Sequence, residues 1–217
     1  MELSVLQKKN PRLPLFAVTG PEFAPYGRVL SLPCADLLAR MEAIPLPPAG
    51  SQYLASCPEL EASPDAPALR EAGFGGTASE IGFCWGRSDT LNALEWHACN
   101  EINVAGSDLV LLLAHRWEIG EDGWLDAARV RGFLLPRGTV VEVYATSLHF
   151  CPCQVSDAGF RCLVGLTEGT NTPLAAPSAD PLLFRRNKWL IAHEENAALR
   201  ARGAVAGIRG ENFRLQY

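Results

Sequence analysis

Val130-Arg131-Gly132-Phe133-Leu134-Leu135-Pro136-Arg137-Gly138-Thr139-Val140-Val141-Glu142-Val143-Tyr144-Ala145 decides the fold. Two runs rich in β-branched and aromatic residues, 130–135 and 139–145, flank Pro136-Arg137-Gly138. Proline presets φ for a tight turn and glycine supplies the conformational freedom to close it, so the stretch reads as strand, turn, strand. Upstream, Ile81, Phe83 and Trp85 alternate with smaller residues. The segments 94–104 and 108–115 follow, the second a near-continuous apolar run expected of a strand covered on both faces. Downstream, 160–166 closes the series. Six or seven strands at roughly ten-residue spacing predict an all-β sandwich or small barrel spanning residues 77–170.

The flanks read differently. Residues 1–76 form a Pro-rich arm with one strand (27–32), one helix (34–43) stopped by Pro45, Pro47 and Pro48, and a second short helical stretch within 58–72. Residues 171–217 form an extension in which 192–202 reads as a helix ended by Gly203. The whole chain, 1–217, is expected to be a single domain. Gly73 to Gly76 lacks the Gly-Lys-Ser/Thr ending of a phosphate loop and reads as a turn.

Composition narrows the function classes. The 217 residues are 48% hydrophobic and 20% charged, which excludes a mainly disordered chain. Nineteen basic against 24 acidic residues give a net charge of −5, which argues against a nucleic-acid partner. The longest apolar run, 109–114, is too short to cross a bilayer, so no membrane partner is expected. Seven cysteines with no C-x-x-C pair point to free thiols and a cytoplasmic setting.

Candidate chemistry gathers in two places. In Leu94-Glu95-Trp96-His97-Ala98-Cys99-Asn100-Glu101, an extended backbone puts Glu95 and His97 on one face and Trp96 on the other. An acid and an imidazole directed into a barrel must pair or hold a metal. Glu101 has the right parity, but four extended residues span about 13 Å, so it joins only if 98–100 bends. The second place is Glu142, Tyr144 and His149. Seven extended residues span about 23 Å, so Glu142 and His149 share a centre only if 145–148 bends. Competing readings are a cross-strand ion pair for Glu142 and core packing for Tyr144. His115 reads as surface, and His193 as a capping or surface residue near a helix start. In the basic run Arg185-Arg186-Asn187-Lys188-Trp189, Arg185 and Lys188 are candidates to clamp an anionic substrate.

The pattern Glu95-x-His97-x-x-x-Glu101, followed by Pro136-x-Gly138 and Glu142, resembles the cupin pattern, with Glu in place of the first His. Within cupins, Pro21-Glu22-Phe23-Ala24-Pro25-Tyr26-Gly27-Arg28-Val29, Leu94-Glu95-x-His97 and Leu148-His149-Phe150-x-Pro152 are similar to segments of ureidoglycolate lyases. The chain thus resembles a little-characterised bacterial cupin family related to them. The resemblance implies a jelly-roll barrel, a homodimer, a divalent metal (Mn, Fe, Ni or Zn) and chemistry on small hydroxy- or keto-acids.

The resulting expectation is a metal-dependent enzyme. Its substrate is a small molecule: a hydroxy- or keto-acid, a ureido-acid or a sugar. Glu95, His97, Glu101, Glu142 and His149 are the candidate ligands. Glu95 or Glu142 would move a proton in lyase or isomerase chemistry, with Tyr144 donating a hydrogen bond to substrate. The alternative is a non-catalytic cupin that binds carbohydrate in the barrel.

Overall fold

A computed structural model describes residues 1–217. The strands are β1 (Leu15–Ala17), β2 (Gly27–Leu30), β3 (Ser51–Leu54), β4 (Ser79–Gly86), β5 (Ala93–Trp96), β6 (Glu101–Ala105), β7 (Leu109–His115), β8 (Leu125–Asp126), β9 (Arg131–Leu135), β10 (Val140–Val143), β11 (Ser147–Leu148), β12 (Cys153–Gln154), β13 (Phe160–Thr167), β14 (Leu183–Arg185), β15 (Lys188–His193) and β16 (Val205–Arg209). The helices are α1 (Leu3–Lys9), α2 (Ala35–Ala43), α3 (Pro58–Glu61), α4 (Ala66–Phe74) and α5 (Ala197–Arg200). No helix is long and apolar enough to cross a membrane.

The strands form an all-β fold of two facing sheets of the jelly-roll type. One sheet runs β2-β10-β6-β13-β4-β3; the facing one runs β1-β9-β7-β11, with β12 also on β7. Their inner faces bury Leu111, Leu113, Phe133, Val141, Val143 and Val164 in one cluster. The outer face of the six-stranded sheet is covered by α2, α3 and α4, through Leu37, Met41, Leu60 and Leu69 on Ile102, Val104 and Val140. The central strand β7 is covered on both sides. Leu109, Leu111 and Leu113 face the interior, while Val110, Leu112 and Ala114 pack outward with α1 residue Leu6 and tail residues Phe213 and Leu215. That double coverage is why 109–114 carries no polar side chain.

The turn at 136–138 does not make a hairpin. It carries the chain from β9 in one sheet to β10 in the other, with Gly138 at φ 87°. Both runs are strands, as expected, and each is paired by strands remote in sequence. The Pro-rich segment supplies three strands, β1, β2 and β3, to the two sheets. Gly27 permits the close approach of β2 to β10, where a Cβ would stand 2.2 Å from the Glu142 carbonyl oxygen.

The C-terminal extension has its helix, but only as Ala197–Arg200, capped by the Asn196 side chain accepting from the Leu199 amide. Around it lies a third sheet, β14-β15-β16-β8, to which β5 adds by pairing with β15. The helical reading of 192–202 therefore began too early. Ala192 and His193 finish an apolar strand, Trp189-Leu190-Ile191-Ala192, whose backbone is already paired with β5.

Candidate metal centre

Both expected bends are present. The chain leaves β5 at Trp96, turns through 97–100 and re-enters a different sheet as β6 at Glu101. It leaves β10 at Val143, turns so that the Ser147 amide donates to the Tyr144 carbonyl at 2.8 Å, and pairs with β7 at Ser147 and Leu148. His149 then lies opposite Glu95. The Glu95 amide donates to the His149 carbonyl (2.6 Å), and the His149 amide donates to the Glu95 carbonyl (2.9 Å). Directly opposed residues project side chains to the same face.

Glu95, His97, Glu101 and His149 therefore converge, and all four are buried. One ligand atom each from Glu95, His97 and His149 lies within 4.8 Å of the other two. Glu101 Oε2 is 3.5 Å from His97 Nε2 and 3.2 Å from His149 Nε2, and Glu95 Oε1 is 3.8 Å from His97 Nε2. The separations of 3.2, 3.5 and 3.8 Å can be spanned by one ion with bonds of about 2.1 Å.

The hydrogen bonds fix the tautomers. His97 Nδ1 is 2.7 Å from the Asn187 carbonyl oxygen and His149 Nδ1 is 3.1 Å from that of Ser147. A carbonyl only accepts, so each Nδ1 carries the hydrogen and donates. Both Nε2 atoms are buried without a hydrogen-bond partner. Neutral imidazoles in this tautomer direct two lone pairs at a carboxylate, which costs free energy unless a proton or a cation lies between them. A divalent metal fits this donor set of two imidazoles and two carboxylates.

In the metal-free protein the proton takes that place. Burial opposes a charge on His149, but Glu101 and Glu95 outweigh it and push its pKa up to about 9. Burial likewise opposes ionisation of Glu101, yet His149 and His97 hold its carboxyl well below the usual range. Its other oxygen accepts from Asn103 Nδ2 at 2.9 Å.

Glu142 and Tyr144 are not part of this cluster. In the β10–β6 register Val143 opposes Glu101 and Glu142 opposes Ile102, so Glu142 projects from the opposite face of the sheet. There it forms an ion pair with Arg28, and Oε1 accepts from Asn100 Nδ2 at 2.7 Å. The ion-pair reading of Glu142 is the one the structure shows. Tyr144 lies just past β10, where its amide donates to the Tyr26 carbonyl at 2.9 Å.

Lys188 forms an ion pair with Glu95 Oε2. Arg185 and Lys188 line a cavity of about 300 Å³ with Glu95, Phe150, Phe184 and Arg202. The surface reading of His115 and the surface alternative for His193 are corrected, while the His193 Nδ1 accepts from the Glu195 amide just before α5. His115 is buried in a stack, 4.0 Å from the Tyr26 and Trp117 rings. His193 is fully buried at the end of β15.

Two residues escaped the sequence reading. Asn187, at φ 53°, turns β14 into β15. Its carbonyl holds His97, its Oδ1 accepts from the Ala98 amide (2.9 Å), and its Nδ2 donates to Thr170 Oγ1 (2.9 Å). Asn100 braces the two bends against each other, with Oδ1 accepting from the Ala145 amide at 2.9 Å. The available signal was asparagine itself, which tolerates left-handed backbone and bonds to nearby main chain.

A family profile described as a domain of unknown function, DUF4867, matches residues 15–213. No curated protein matches. Among solved structures, a variant of oxalate decarboxylase from Bacillus subtilis is similar at 14% identity and TM-score 0.35, over 59% of this chain and 28% of that one. A second variant of that enzyme matches at 14% identity and TM-score 0.35, over 67% of this chain and 32% of that one. This chain thus spans about a third of the enzyme's length. These matches do not include the likeness to ureidoglycolate lyases.

Proposed function

We propose that this chain, which belongs to the DUF4867 family, is a metal-dependent cupin enzyme acting on a small polar metabolite. The observation that carries the reading is the pair of buried Nε2 atoms, His97 and His149, directed at Glu101 with their Nδ1 atoms anchored on carbonyl oxygens. His97, His149, Glu101 and Glu95 would hold a divalent metal. When bound, it supplies Lewis-acid polarisation of a substrate carbonyl or hydroxyl oxygen.

The remaining work falls to the chain. The cavity beside Glu95 is at the small end of ligand sites, which favours a metabolite of few atoms. Arg185 and Lys188 in its wall suit a carboxylate or an oxygen-rich substrate. Phe150 and Phe184 give the cavity an apolar wall. Glu95 lines the cavity and also faces His97, so it is positioned to take a proton from substrate and return it. Glu142, on the opposite face of the sheet and outside the cavity lining, has no part in proton transfer here. Elimination from a hydroxy- or ureido-acid and isomerisation of a sugar both require these parts.

The test is elemental analysis of purified protein beside His97→Ala. The proposal expects near-stoichiometric Mn, Fe, Ni or Zn in the parent and a drop of at least tenfold in a folded variant. Absence of metal in the parent after supplementation with each ion would overturn it and favour a non-catalytic binder.

A further inference from the structure

Seven free cysteines are distributed through the fold, and two of them touch. Cys84 comes from β4, next to edge strand β3 in the six-stranded sheet, and Cys151 from the irregular segment between β11 and β12. Their sulfurs are 3.9 Å apart, and Cys151 Sγ also donates to Ser51 Oγ at 3.4 Å. No other two cysteines are hydrogen-bonded to one another. Cys153 and Cys162 are fully buried, and Cys57 bonds to Glu59. Both Cys84 and Cys151 line the cavity beside Glu95, and Cys151 is only half-buried, so a small solute entering the cavity meets its sulfur.

We propose that Cys84 and Cys151 form a reversible redox site in the cavity wall, oxidised to a disulfide by a small hydroperoxide. The Cys151 sulfur, as thiolate, attacks one peroxide oxygen and the O–O bond breaks. The departing oxygen takes up the proton lost by Cys151, leaving sulfenic acid on that residue. The Cys84 sulfur then attacks the Cys151 sulfur, the S–O bond breaks, and water leaves with the Cys84 proton. In sum, two thiols and ROOH give a disulfide, ROH and water; the sulfurs lose two electrons and the peroxide gains them. Closure requires the sulfurs to approach by about 2 Å. The segment around Cys151 supplies that movement more readily than β4, which is paired on both sides by β13 and β3.

The proposal is independent of metal binding, so the experiment uses the full chain both stripped with a chelator and loaded with Mn. Reduced protein is exposed to hydrogen peroxide, its thiols are titrated, and its unreduced proteolytic peptides are mapped by mass spectrometry. The expected result, in both forms, is loss of two of the seven titratable thiols, one peptide pair joined through Cys84 and Cys151, and full recovery with a dithiol reductant. Cys84→Ser is expected to leave Cys151 trappable as sulfenic acid, whereas Cys153→Ser behaves as the parent. A bridge between other cysteines, oxidation of single cysteines only, or retention of all seven thiols would overturn the proposal. Peptide mapping of the parent decides this even if a variant fails to fold.

Discussion

Glu101 and Glu142 sit on neighbouring strands one register step apart, both buried, yet they belong to different regions of the molecule. Glu142, on the outer face, has each oxygen met by a protein donor, Arg28 on one and Asn100 on the other. Glu101, on the inner face, has one oxygen met by Asn103 and the other facing the Nε2 atoms of His97 and His149, a gap that only a proton or a metal ion can bridge. Burial does not distinguish a brace from a binding site; two unpartnered ring nitrogens converging on one carboxylate do. His193 makes the same point against His97. Its Nε2 donates to the Gly210 carbonyl (3.2 Å) and its Nδ1 accepts from the Glu195 amide (3.2 Å), so both ring nitrogens are used. His97 uses one.

The largest expected effect breaks the inner region. Glu101→Gln should reduce metal affinity at least a hundredfold, while Glu142→Gln leaves it within about threefold; calorimetric titration of Mn into both variants checks this. Asn187→Ala removes the side-chain anchors of the His97 segment. Loss of such outer support typically costs 10- to 100-fold in affinity, and about tenfold is expected in the same titration. On the outer face, Glu142→Ala strips Asn100 and Arg28 of their acceptor. It should destabilise the fold by about 1–3 kcal/mol, read from denaturant unfolding, without changing metal stoichiometry. Arg28→Ala leaves one oxygen of the buried Glu142 carboxylate without its partner and should cost about 1–3 kcal/mol in the same unfolding experiment.

A pH series sharpens the comparison. In metal-free protein the raised pKa of His149 contributes stability that is complete below its unfolded value of about 6.5 and is lost as pH rises through about 9. The depressed pKa of Glu101 contributes stability above an unfolded value of about 4.5, lost only as pH falls through its folded pKa. Thermal unfolding should therefore show declining stability from about pH 6.5 to 9 without metal. Saturating Mn should flatten that decline, since metal displaces the same proton.

The strands, their approximate limits and the double coverage of β7 were legible in the sequence because periodicity reports local environment. Glu95, His97, Glu101 and His149 were legible as a set conditional on two bends. The bends themselves were not, since they depend on Asn100 and Asn187 bonding to segments 45 and 89 residues away. The face of Glu142 was equally hidden: parity along a strand says which residues share a face, and only the register against β6 says which face is inside. His115 and His193 were misread because an imidazole with satisfied nitrogens or stacked rings can be buried without any mark in the neighbouring sequence.

The central claim is that the two Nε2 atoms and Glu101 enclose a cation. Anomalous diffraction from crystals grown with Mn tests it most directly. The account predicts one strong peak within about 2.4 Å of His97 Nε2 and His149 Nε2, with the Glu95 and Glu101 carboxylates completing its shell. A map with no peak there, or with its strongest peak at the cysteines or on the surface, would contradict it.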